Sequence, residues 1–353
     1  MDESRRLFLE DLLAVPSPSG FETRGQRVWI DYVETFADSV TVDDYGNAVA
    51  THEGGDGPSV AFAGHGDEIG LIVRRVEDNG YLRVGRIGGT DRTVTRGRRV
   101  VVHADDGPVS GVVGQTPIHL RDGEDGPVDV DKQYVDVGAD DGDRARELVD
   151  VGDPVTVASE GVVDLAGDRV SARGLDNRVG VWAAAEGLRR AATADVGATV
   201  HAVATVQEEV GLQGAKMVGS DLDADAVVAV DVTHAGDHPG LDAGQQTPVE
   251  LGAGPVVSRG SANHPVVVET ARVAAAAADV DVQLQAAGLR TGTDADAFYV
   301  ADGGTPALNL GVPNRYMHTP VEVVSASDLT ATARLLRAFA ERAATRESFA
   351  VDV

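Results

Sequence analysis

The sequence predicts an α/β fold, a mostly parallel sheet flanked by helices, interrupted by an inserted small all-β domain. Three observations predict it. Apolar strand-like runs alternate with helical periodicity over most of the 353 residues, the pattern of parallel strands joined by crossover helices. From about residue 70 to 165 that alternation gives way to short β runs, "GLIVRRV", "YLRVGRI", "RRVVVH" and "GPVSGVVG", divided by Gly, Asp and Asn. After "GDRVSARGLDNR" the alternation returns. The expected organisation is therefore a discontinuous α/β domain over 1–67 and 167–353, with the inserted domain over 68–166.

The elements follow in order. "MDESRRLFLEDLLAV" has the spacing of an amphipathic helix over 3–14 and lacks the apolar core and cleavage site of a signal peptide. "PSPSG" breaks the chain before a second helix over 22–36. Strand-like runs occupy 46–51 and "PSVAFAGH" at 58–65, and one short helix is expected near 141–149 within the β-rich stretch. Beyond it come a helix over 177–190, a strand over 198–206, a helix over 212–219 and a strand over 226–231. A helix over 265–279, a strand over 281–286, a helix from about 293, a strand over 305–310 and a final helix over 327–346 complete the chain.

Composition narrows the function. The 57 acidic residues outnumber the 30 basic ones, giving a net charge of −27, and Lys132 and Lys216 are the only lysines. Such a surface argues against nucleic acid and anionic membranes as partners. The acids are dispersed along the chain instead of clustered, which fits adaptation to concentrated salt, where screening removes self-repulsion. The expected setting is a halophilic cytoplasm. Aromatic residues are only 4% of the chain, so Val and Ala must build most of the core. With no cysteine, any metal must be held by histidine and carboxylate. No segment approaches the ~20 apolar residues of a membrane span.

Polar residues gather where an α/β sheet places its chemistry, just beyond the carboxyl ends of strands. "VAFAGHGDEIG" carries His65 and Asp67, "RGLDNRVG" carries Asp176, and "ATVQEEVG" ends an apolar run in Glu208 and Glu209. "VVAVDVTHAGD" ends in Asp231, and His318 follows a strand in "LNLGVPNRYMHTP". Each has an ordinary explanation when taken alone. Asp176 would be a helix N-cap, Asp231 a turn former, and either histidine a hydrogen-bonded structural residue. His234 and His238, in a Gly- and Asp-rich loop, are taken as solvated. Two adjacent glutamates at the end of a buried strand are harder to explain, because like charges repel and desolvation penalises both. A pair of divalent ions ~3.5–4 Å apart, sharing one bridging carboxylate, accounts for the whole set. One glutamate would bind metal while its neighbour faces the reacting water; spacing alone does not say which.

Together, "GHGDEIG", "RGLDNR", "QEEVGLQGA", "DVTHAGDHPG", "TGTDADAF" and "GVPNRYMHTP" resemble the tetrahedral (TET) aminopeptidases. These are zinc- or cobalt-dependent dinuclear metallopeptidases, including glutamyl and leucyl aminopeptidases and some relatives labelled endoglucanases. The resemblance runs through essentially the whole chain, with the motifs in order. It implies that Asp176 bridges two ions (zinc or cobalt, manganese being compatible). His65 and Asp231 would complete one site, and Glu209 and His318 the other. It further implies Glu208 as the general base, Asp67 as the acid that orients His65, and a cis peptide between Asp176 and Asn177. The reaction it implies is removal of N-terminal residues from short peptides by a metal-bound hydroxide. The inserted domain would be a β-barrel used for dimerisation, and the dimers would assemble into a hollow tetrahedral dodecamer. Gln213 stands where many relatives carry a basic residue, a departure that bears on substrate preference. Specificity is expected from loops around 233–260 and 288–315.

The alternative is a dinuclear carboxypeptidase or N-acyl amino-acid deacylase of the related zinc-peptidase fold. It would need a dedicated arginine for a substrate carboxylate, for which Arg290 and Arg315 are candidates. A glycosidase using Glu208 and Glu209 would leave the paired histidines unexplained.

Overall fold

Parallel strands send their carboxyl ends to one edge of a sheet, so the order of strands decides which loops meet. The computed structural model describes residues 1–55, 57–121, 126–159, 161–241 and 249–353. Its early strands are β1 (Ser39–Val42), β2 (Ala48–His52) and β3 (Val60–His65). Six more follow: β4 (Gly70–Val76), β5 (Leu82–Ile87), β6 (Arg99–Ala104), β7 (Gly107–Val113), β8 (Tyr134–Asp136) and β9 (Pro154–Val157). Then come β10 (Val163–Leu165), β11 (Arg169–Ala172), β12 (Val200–Thr205) and β13 (Ala226–His234). The last are β14 (Val256–Arg259), β15 (Gln283–Ala286), β16 (Ala307–Asn314) and β17 (Glu322–Ser325).

Eight of these form the main sheet in the order β1-β2-β12-β3-β13-β16-β14-β15. Its centre, β12, β3, β13 and β16, is parallel throughout, while β1 pairs antiparallel with β2, β2 with β12 and β14 with β16, and β15 lies parallel to β14 at the far edge. The central strands are Val- and Ala-rich and buried on both faces, as in β3, where all six residues are buried. Helices Glu3–Ala14, Thr23–Val33, Leu175–Thr193, Pro265–Ala277 and Ala326–Ala343 cover the sheet, and their small residues let backbones come close. Gly64 shows how tight this is: a Cβ there would lie 2.5 Å from the carbonyl carbon of Gly180 and 2.6 Å from the nitrogen of Val181. The helix Leu175–Thr193 is thus seated directly on the strand that ends in His65.

The β-rich stretch closes into a barrel, in the order β4-β5-β8-β7-β6-β9, with every pairing antiparallel. Closure removes exposed edges, and the interior is aliphatic, with Leu71, Val73, Leu82, Val84, Val102 and Val155 among its buried residues. The short helix expected near 141–149 is Gly142–Arg146, capped by Asp141 accepting from the N–H of Arg144. Strands β10, β11 and β17 form a small antiparallel sheet not foreseen in the sequence. β13 also continues past 231 to His234, because its pairing with β16 runs on to Asn314. Asp231 therefore lies within the strand and not at its end. No helix among the described residues is long and apolar enough to cross a membrane.

Candidate metal centre

Six ionisable side chains meet at the carboxyl edge of the central strands. His65 ends β3, and its parallel partner in β12 is Thr205, so Glu208 and Glu209 emerge beside it. Asp231 comes from β13 one strand over, and His318 follows β16. Asp176 reaches the same place from the start of its helix. Its backbone is non-helical (φ −76, ψ 106) and the N-cap position is Gly174, so Asp176 is not a cap. The Asp176–Asn177 peptide is cis.

The carboxylate of Asp176 lies between the histidines, with Oδ1 3.3 Å from His65 Nε2 and Oδ2 3.4 Å from His318 Nε2. His65 Nε2 is also 3.7 Å from Asp231 Oδ1 and 3.8 Å from Glu208 Oε2. His318 Nε2 is 3.6 Å from Glu209 Oε1. The two glutamates thus face different histidines. Ligand atoms of His65, Glu208 and Asp231 lie within 4.8 Å of one another, as do those of His65, Asp176 and Glu209. Glu208 is close enough to ligate as well as to act on a bound water.

A ring of buried acids holds this set in place, of which only Asp67 was expected from the motifs. Asp67 Oδ1 sits 3.3 Å from His65 Nδ1. The same carboxylate accepts the backbone N–H of Glu208 (3.0 Å), the N–H of Glu209 (3.2 Å) and the hydroxyl of Ser19 (2.6 Å). Glu322 accepts from the N–H groups of Asp176 (3.1 Å) and His318 (3.0 Å). His318 has φ +62, a left-handed backbone that such a bond helps retain. Glu22 accepts from the N–H of Gln207, another left-handed residue at φ +55. Asp294 accepts the Thr205 hydroxyl at 2.5 Å. Next to Asp67, buried Glu68 pairs with Arg173 and with Arg178, whose Nη2 donates at 2.9 Å.

So many buried acids alter one another's protonation. Burial and the charges of Asp231, Asp294 and Glu209 push Glu208 up to about 10, against the pull of His65. Burial and the Asp176 charge push Glu209 to about 8. Burial also raises Asp231. Burial alone would lower His65, but the charges of Glu208 and Asp231 outweigh it and raise it well above the usual imidazole range. The bond to Asp176 raises His318 to about 9. Asp176, despite burial, is held low by both histidines.

The donor set suits divalent cations: imidazole and carboxylate only, from five separate segments, with buried Glu209 Oε1 lacking any hydrogen-bond partner. The centre opens into a cavity of about 630 Å³. Both loops expected to shape specificity contribute to it, Thr233, His234 and Ser258 from the first and Arg290, Thr293 and Asn309 from the second; residues 242–248 of the first lie outside the described residues. His234 is solvent-exposed as expected, but on the cavity wall. His238 is half-buried against the Tyr316 ring, centroids 5.3 Å apart, and is not a free surface residue. Arg315 is committed to Asp237 through Nε (2.7 Å) and Nη2 (2.6 Å). Arg290 lines the cavity and carries no such partner among the described residues.

Residues 46–335 match the sequence profile described as M42 glutamyl aminopeptidase. The chain belongs to the M42 aminopeptidase family. Among relatives of this M42 peptidase is a lysyl aminopeptidase of Pyrococcus furiosus, 33% identical over 337 residues, covering 94% of this chain and 96% of the relative. A TET aminopeptidase from a marine-sediment Thaumarchaeota archaeon superposes with a TM-score of 0.90 at 30% identity, covering 96% of each chain. The TET1 peptidase of Pyrococcus horikoshii, described as able to assemble into a tetrahedron or a large octahedral shell, matches with a TM-score of 0.85 at 30% identity, covering 95% of this chain and 99% of that one. The family expected from the motifs, the α/β fold with its closed barrel, and the peptidase class all stand.

Proposed function

We propose that this M42 peptidase is a dinuclear metal-dependent aminopeptidase that trims short peptides from the amino end. The observation that carries the reading is the convergence of His65, Asp176, Glu208, Glu209, Asp231 and His318, from five separate segments, on the floor of one open cavity. Asp176, whose two carboxylate oxygens face different histidines, would be shared between the ions; His65 and Asp231 would hold one, and Glu209 and His318 the other. Zinc and cobalt suit this donor set, and manganese is compatible with it. When bound, the ions supply a polarised scissile carbonyl and a water acidic enough to be deprotonated near neutral pH.

The chain's own groups do the rest. Glu208 takes the proton of the attacking water and delivers it to the departing amine. A carboxyl held at about 10 by its surroundings would stay protonated at neutral pH, and nearby positive charge is what frees it to act as a base. Asp67, by accepting both glutamate N–H groups, fixes the turn that sends Glu208 and Glu209 in different directions. Glu322 does the same for Asp176 and His318. Residues 68–166 act as a dimerisation domain, and the dimers build a closed homo-oligomer, for which the dodecameric and shell-forming relatives are the precedent. The setting is a salt-rich cytoplasm.

The deciding experiment is hydrolysis of aminoacyl anilides at high salt, before and after chelation and with metal added back, using N-acetylated anilides as controls. Chelator-sensitive cleavage confined to free amines is expected. Cleavage only of the acylated series would select the deacylase alternative.

A further inference from the structure

The inserted barrel reaches the metal centre itself. The turn that leaves β5, residues 87–91, ends at the short helix Arg92–Thr95 and passes beside two of the candidate ligands. Gly88 lies against Glu209: a Cβ there would be 3.1 Å from both Cβ and Oε2 of that residue. Gly89 lies against His318: a Cβ there would be 2.6 Å from Cε1 and from Nδ1 of the ring. Among the described residues, Gly89 is also the one barrel residue that lines the cavity.

The two glycines stand there for different reasons. Gly88 has φ +62, a left-handed backbone that glycine adopts without strain, so the turn alone accounts for it. Gly89 has no left-handed backbone and is exposed. Neither its conformation nor its burial calls for glycine; the imidazole of His318 does. The turn is also braced. Thr90 Oγ1 donates to Gly70 O (2.7 Å) and Ile87 O (3.1 Å), and Asp91 accepts from the N–H of Thr93 (2.7 Å) and from its hydroxyl (2.8 Å). A methyl at position 89 would therefore displace the ring and not the turn. His318 Nε2 faces Asp176 and Glu209, so a ring pushed on its Nδ1–Cε1 edge loses its aim at the point where those carboxylates meet.

We propose that Gly89 is a positioning residue through which the inserted barrel completes the subsite of Glu209 and His318, while the subsite of His65 and Asp231 is built by the α/β domain alone. This rests on the dinuclear reading and gives the barrel a part in metal binding separate from subunit contact.

The test titrates chelator-treated wild type, Gly89→Ala, His318→Ala and the double variant with zinc, by calorimetry at one pH and one high salt concentration. Wild type should take up two ions. Gly89→Ala should hold one as wild type does and bind the other ~10–100-fold more weakly. In the His318→Ala background it should add no further loss, because the ring it displaces is gone. Metal-free Gly89→Ala should unfold at the wild-type midpoint, since an imidazole with no cation to hold can swing aside. Gly126→Ala, whose methyl would meet no atom within 4 Å, serves as the barrel control. Two ions bound at wild-type affinity in Gly89→Ala, equal weakening of both, a further loss in the double variant, or a metal-free form that no longer folds would each overturn the role of Gly89. A wild type that binds fewer than two ions would instead overturn the dinuclear reading, and this inference with it.

Discussion

Removing the metal with a chelator should leave the centre holding protons in place of cations, and the sign of the exchange can be worked out. At pH 7 a metal-free His318 at about 9 and Glu209 at about 8 are both protonated. So is His65, raised well above its usual range. All three must be deprotonated to ligate, and Glu208, at about 10, must also lose its proton to serve as a base. Loading both ions at pH 7 should therefore release at least about one proton from the ligand set and Glu208 together. Each proton released makes the apparent affinity rise about tenfold per pH unit. Calorimetric titration of chelator-treated protein with zinc, in buffers of differing ionisation enthalpy, counts these protons directly. Release of less than one proton, or affinity that falls as pH rises, would refute the reasoning. The same shifts set the stability of the metal-free protein. His318 and Glu209 bind protons more tightly folded than unfolded. Their contribution is complete below the unfolded values of 6.5 and 4.5 and is lost as pH climbs through about 9 and about 8. Alkaline pH should therefore destabilise the chelated protein, and added metal should offset the loss.

Glu208→Gln should keep both metals, measured by elemental analysis, and lose ~10²–10⁴-fold in kcat on an aminoacyl anilide; near-normal turnover with full metal would remove Glu208 as the base. Gly64→Ala should lower the unfolding midpoint sharply, because its methyl would press on the backbone of Gly180 and Val181 and neither can move without shifting the helix. A cost below ~1 kcal/mol would mean that the helix slides freely on β3. Dilution into low salt should unfold the protein as 57 acids lose their screening, with circular dichroism as the readout. Unchanged stability there would argue against salt adaptation.

Much of the candidate centre could be anticipated because its residues lie at strand ends, where apolar runs stop abruptly in His65, in Glu208 and Glu209, and ahead of His318. The central parallel strands then bring those ends together whatever the loops do. Asp231 was found for a partly mistaken reason, since the strand runs through it and ends only at His234. Less legible were the acids that bond backbone groups across the fold. Glu322 and Asp176 are 146 residues apart, and Asp67 and Glu208 are 141 apart. An isolated glutamate in "PVEVV" or "SGFET" carries no local signal of such contacts. The strand β14 and the small sheet of β10, β11 and β17 were missed for a related reason, being too short for periodicity to register.

The barrel departs from the sheet at β4, three residues after Asp67, and the chain returns through β11 to Arg173, which pairs with Glu68. Both connections therefore pass through the scaffold of the centre. Any swing of the barrel has its fulcrum there, beneath the carboxylate that aligns both glutamates. If the barrel is the subunit contact proposed above, a load on it would reach the Glu68–Arg173 pair first, one residue from the carboxylate that accepts the N–H groups of both glutamates.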